Sequence, residues 1–71
     1  MIWVNLGAVS YQLIGITTSA NKANDKYFLY GERANGTAIR LRESTKEDIM
    51  ELKEAFDYAV KSGFPMFDLV D

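Results

Sequence analysis

The chain lacks cysteine and histidine altogether and has one proline in 71 residues. Without cysteine no disulfide can staple so short a chain, and without either residue the usual zinc ligand sets are gone. Serine-histidine and cysteine-histidine nucleophile pairs are excluded for the same reason. An all-oxygen calcium or magnesium site needs a loop of carboxylates at EF-hand spacing, and none is present; no cofactor is expected. Neither glycine-rich phosphate cradle, G-x-x-x-x-G-K-[ST] or G-x-G-x-x-G, occurs. The carboxylates Asp25, Glu32, Glu43 and Asp68 are not brought together by their spacing. The expectation is a protein that is not an enzyme.

An excess of positive charge is lacking too. Eight Lys and Arg against ten Asp and Glu leave a net charge of −2, whereas general nucleic-acid binders are usually strongly basic. No apolar run approaches the roughly 18 residues of a membrane span, so no membrane partner is expected. The first residues have neither the charged segment nor the long apolar segment of a secretory signal. From Met1 onward the chain reads as a complete, cytoplasmic protein with one small α+β domain over residues 1–71.

What is present is apolar: 48% of residues are hydrophobic and 13% aromatic. A chain of this length buries only about 60% of the surface that its unfolded form exposes. Such scaffolds usually need a staple. With disulfides excluded, the remaining choices are a densely packed core or self-association.

Ile2, Val4 and Leu6 alternate with Trp3 and Asn5, the period-2 pattern of a strand, which Gly7 breaks or bulges. Val9 to Thr18 is rich in β-branched and aromatic residues. Its alternation slips after Leu13, which a bulge or bend near Gly15 would explain, as would burial on both sides. Ser19 to Lys26 is polar and reads as a loop. Two further strands, Tyr27 to Arg33 and Thr37 to Glu43, flank Asn35-Gly36, the strongest short signal for a type I′ hairpin. Ser44 to Ser62 predicts a helix. Ser44 and Glu47 have capping-box spacing, with Thr45 and Asp48 as an overlapping alternative, and Gly63 is placed to end it. Ile49, Leu52, Phe56, Ala59 and Val60 form its apolar stripe. The predicted fold is α+β: an antiparallel β-meander of three to four strands packed on one C-terminal α-helix, in the order β-β-β-β-α.

Three features stand out as candidate sites. With a two-residue turn, Arg33 pairs with Ala38, Gly31 with Arg40 and Leu29 with Arg42. Phe28, Tyr30, Ile39 and Leu41 then face the core. Arg33, Arg40 and Arg42, with Tyr27 at the end, gather on the other face around the gap left by Gly31. Arginine forks suit phosphate and carboxylate, and a neighbouring aromatic can stack a base. Against this stands the ordinary charged face of a solvated sheet. The second feature is the helix side opposite the apolar stripe, where Tyr58 lies among Glu51 and Glu54 as a protein-contact surface. The third is the apolar surplus of Trp3 with Phe64, Met66, Phe67 and Leu69, in a tail that also holds Val70. That surplus either completes the core or, as favoured here, forms a self-association surface.

These features point to a small interaction protein that self-associates as a homo-oligomer and acts by binding a protein partner. An inhibitor or sequestering factor of phage or mobile-element type has this general make-up, although no motif carries a family resemblance. The alternative is a binder of a small anionic ligand, such as a nucleotide, or of nucleic acid through the arginine patch.

Overall fold

The computed structural model describes residues 2–69, so Val70 of the predicted apolar tail lies outside the described residues. Along the chain run β1 (Ile2–Asn5), β2 (Ser10–Leu13), β3 (Gly15–Ala20), β4 (Lys26–Glu32), β5 (Ala38–Thr45), α1 (Lys46–Lys61) and β6 (Met66–Asp68). They build two three-stranded sheets, β2-β1-β6 and β3-β4-β5, with the single helix packed on them. The fold is the expected α+β, with a final strand that the sequence pattern did not announce.

The slip in alternation after Leu13 is the corner between the two sheets. The chain bends at Ile14, leaves the first sheet as β2 and enters the second as β3, and the Ile14 N–H donates to the Glu32 carbonyl at 2.8 Å. Gly7, at φ 95°, serves the preceding turn, which the Leu6 N–H closes onto the Val9 carbonyl.

The helix starts one residue later than the first capping-box candidate. Thr45 is its N-cap and accepts from the Asp48 N–H at 3.2 Å, while the Ser44 hydroxyl donates to the Asp48 carboxylate at 2.8 Å. Its C-terminus closes as a Schellman motif. Gly63 sits at φ 77°, its N–H donates to the Val60 carbonyl, and the Phe64 N–H reaches back to Ala59. This closure turns the chain sharply and delivers Pro65 to β1, where its carbonyl accepts from the Trp3 N–H at 3.0 Å. β6 then runs parallel to β1 in the register Trp3–Met66, Val4–Phe67, Asn5–Asp68. A parallel pair needs a long crossover, and here the whole meander and helix supply it.

One core serves both sheets. Among the described residues, Ile2, Val4, Leu13, Leu29, Ile49, Phe56, Ala59 and Leu69 are its buried apolar members, and no polar or charged residue is buried. On the predicted helix stripe Leu52 packs at the core margin, but Val60 is 52% exposed, although Ala59 beside it is buried.

The hairpin between β4 and β5 departs from expectation. No described non-glycine residue has positive φ, so Asn35 cannot occupy a type I′ turn; only Gly36, at φ 90°, is left-handed. The Gly36 N–H donates to the Arg33 carbonyl, and the Arg33 N–H donates to the Thr37 carbonyl. The loop is therefore three residues, Ala34-Asn35-Gly36, the three-residue hairpin with glycine in the left-handed position. Asn35 Oδ1 accepts from both the backbone N–H (3.0 Å) and the hydroxyl (2.7 Å) of Thr37, which holds the longer loop. The extra residue moves the register by one, pairing Glu32 with Ala38, Gly31 with Ile39 and Tyr30 with Arg40. A bulge then restores Leu29 opposite Arg42.

A one-residue slip exchanges the faces of a strand. The β4 residues turned inward are Leu29 and Gly31, not Phe28 and Tyr30 as the two-residue turn predicted. Gly31 is no gap in a ligand-binding face. A Cβ there would lie 2.5 Å from Leu13 Cδ1, so its missing side chain is the space that the fully buried Leu13 fills.

Candidate functional site

With the core assigned, each sheet has one covered face and one open face, and the candidate residues divide between them. On the first sheet, alternation along β1 buries Ile2 and Val4 and turns Trp3 outward, where it is 45% exposed. Its neighbour across the parallel ladder is Met66, 51% exposed. Phe64, on the approach to β6, is also about half exposed, and its ring meets that of Tyr58 edge-on with centroids 6.1 Å apart. The other two tail candidates are drawn inward. Leu69 is a buried core residue, and Phe67 packs edge-on against Phe56 at 5.6 Å, since β6 pairing turns alternate tail residues towards the helix. Self-association through Phe67 and Leu69 is thereby corrected, and Trp3, Phe64 and Met66 stay at the surface.

The acidic helix side is as expected. Glu51 and Glu54 are exposed, and Tyr58 is the most exposed large apolar side chain, through which this side adjoins Phe64. Glu51 also lines a shallow groove of about 330 Å³ with Arg42, Asp48, Leu52 and Ala55.

The three arginines do not form the predicted patch, because the register separates them. Arg42 lies opposite Leu29 and borders the helix, in the groove with Asp48 and Glu51. Arg40 lies on the open face of the second sheet, its guanidinium carbon 4.3 Å from the Phe28 ring centroid. Arg33, at the hairpin, reaches towards the Tyr11 ring at 5.9 Å, between the two sheets. Tyr27 is half-buried on the helix side with the Lys46 ammonium 6.0 Å from its ring centroid, and so is not part of an arginine face.

Sequence reasoning placed Phe28 and Tyr30 in the core, and the structure places them on the open face. Their rings lie 5.7 Å apart, Thr17 and Arg40 flank Tyr30 in the ladder, and Ser19 and Glu43 flank Phe28. Beside Tyr30 an open groove of about 470 Å³ runs past Ile14, Thr17, Glu32, Arg33 and Thr37. The nearest sequence signal for this arrangement was Thr37, whose bonds to Asn35 favour the longer loop.

Among the described residues, no three acidic side chains gather to hold a metal ion, and no helix is long and apolar enough to cross a membrane. Comparison with protein-family models, curated proteins and solved structures gives no match.

Proposed function

We propose that this chain is a non-enzymatic interaction protein whose binding surface is the open face of the first sheet and the adjoining end of the helix. Its first occupant is a second copy of the chain. The observation carrying this reading is the Trp3–Met66 pair: two large apolar side chains adjacent across β1 and β6, each about half exposed. Phe64 and Tyr58 add a second exposed aromatic contact nearby in the chain. The size of the chain argues in the same direction, since small domains gain disproportionately from burying more apolar surface in an oligomer. Tryptophan and tyrosine are also the residues that most often dominate binding energy at interfaces. Glu51 and Glu54, two turns and one turn before Tyr58 on the same helix side, give the Tyr58 end an acidic flank suited to a basic protein partner, in an inhibiting or sequestering role.

Trp3 is the only tryptophan, so its emission reports this surface directly. Dilution from high micromolar to nanomolar concentration should shift the emission to the red as the ring becomes hydrated. Light scattering over the same range should show the mass falling towards the 8.0 kDa monomer. The double substitution Trp3→Ser, Met66→Gln should give a folded monomer at every concentration. A wild-type chain that is monomeric at high micromolar concentration would refute self-association.

A further inference from the structure

The open face of the second sheet is a separate surface, and its make-up differs from a merely solvated one. Phe28 and Tyr30 occupy alternate positions of β4, the central strand, on the side away from Leu29 and Gly31. Arg40 lies across the Phe28 ring while pairing with Tyr30 in the ladder. Lys26 stands two residues before Phe28 on the same side of the strand, and Arg33 lines the groove beyond Tyr30. The acidic residues of this face are Glu32 and Glu43, and the Asn21 side-chain amide donates to Glu43 at 2.7 Å. The helix, by contrast, concentrates acid in Glu47, Asp48, Glu51, Glu54 and Asp57. Lys26 and Arg40 therefore lie on the aromatic face, with Arg33 at its hairpin edge, away from the most acidic element.

We propose that this face is a stacking platform for two unpaired bases of a single-stranded nucleic acid. Tyr30 and the Arg40-covered Phe28 take one base each, and Lys26, Arg40 and Arg33 contact the phosphates. Aromatic rings and arginine planes both stack bases, and both tolerate any sequence. The spacing selects the strandedness. Alternate residues on a strand are about 6.6 Å apart, roughly twice the 3.4 Å step between stacked bases in a duplex strand. Bases must be splayed to use both positions, which a single strand permits and a duplex forbids. With about three phosphate contacts, log affinity should fall with log salt at a slope no steeper than about −2. Stacking, rather than charge, then carries the larger share of binding, in keeping with a net-acidic chain.

The test is a titration of the isotope-labelled full chain, followed residue by residue by NMR, with a ten-nucleotide oligothymidine, a ten-base-pair duplex and free thymidine monophosphate. The single strand should shift resonances of Thr17, Phe28, Tyr30 and Arg40 and leave the Met66 methyl unmoved. The duplex and the mononucleotide should bind at least tenfold more weakly. Arg40→Ala, a change at an exposed position, and Tyr30→Ala should each weaken binding by roughly tenfold, with Tyr30→Leu substituting should the alanine variant unfold. No response at millimolar oligonucleotide, shifts confined to other faces, or unchanged affinity in Arg40→Ala would overturn the proposal. Equal binding of the duplex, or of the mononucleotide alone, would also overturn it in favour of a charge-only or small-ligand site. Self-association rests on the Trp3–Met66 pair of the other sheet; Arg33 shares a groove with Trp3, so the two proposals are told apart at Phe28, Tyr30 and Arg40 on one side and Met66 on the other.

Discussion

The two sheets hide one face each in a common core, and the contrast lies in what they leave outside. The open face of β2-β1-β6 presents Trp3 and Met66 beside the uncharged Gln12, with Asn5 and Asp68 joined by a 3.2 Å hydrogen bond at the far end. That of β3-β4-β5 presents Phe28 under the Arg40 guanidinium with Tyr30 beside it, flanked by hydroxyls and charges. The first is a surface that water covers poorly and another apolar surface covers well. The second keeps its rings half-buried by their own neighbours and its charges solvated, so it gains less from burial and more from ligands that stack. The same small fold thus has two open faces of different chemistry because the chain changes sheets at Ile14.

The largest way to break this comparison is to remove the residue both sheets share. Leu13 ends β2, is fully buried and fills the space above Gly31 of β4. Leu13→Ala should cost about 2–5 kcal/mol, a large part of the stability of so small a domain. Urea denaturation should show both sheets lost in one transition; a second sheet that melts separately would show that the core is not shared.

A smaller perturbation tests the same seam from the other side. Gly31→Ala places a methyl group against Leu13 and should destabilise by about 1–3 kcal/mol through overpacking. The loss should shrink when Leu13→Val is introduced with it, a coupling that a double-mutant cycle reads directly. Additive effects would contradict the close approach. Smallest is Thr45→Ala, which removes the helix N-cap and should cost about 1 kcal/mol. Because neither open face depends on that cap, oligomeric mass and oligonucleotide titration should stay as in the wild type once the loss in melting midpoint is allowed for.

The fold class was largely legible in the sequence. The first strand, expected over Ile2 to Leu6, the interruption after Leu13, the helix and its glycine stop are all local signals, and each is found within a residue or two of where the pattern put it. β6 was not legible. Three residues after a proline carry too little periodicity, and their strand state comes from hydrogen bonds to β1 more than sixty residues away. The sites were legible in part. Trp3, Tyr58, Glu51 and Glu54 are at the surface because alternation and helical spacing decide that locally, whereas Phe64 and Met66 are placed by the turn after the helix and the β6 pairing. Phe67 and Leu69 were misjudged because their facing follows from the parallel pairing.

The hairpin shows the boundary between the two kinds of information most clearly. By itself the sequence determined that a turn lies at Asn35-Gly36 and that strands flank it, since only glycine readily takes the left-handed conformation found at Gly36. Only the tertiary structure decided whether the loop holds two residues or three. That choice rests on the fit of Leu13 into the space at Gly31 and of Leu29 into the common core, contacts between distant parts of the chain. A one-residue difference in the loop exchanges the faces of a strand, and it dispersed a predicted arginine patch while bringing Phe28, Tyr30 and Arg40 together.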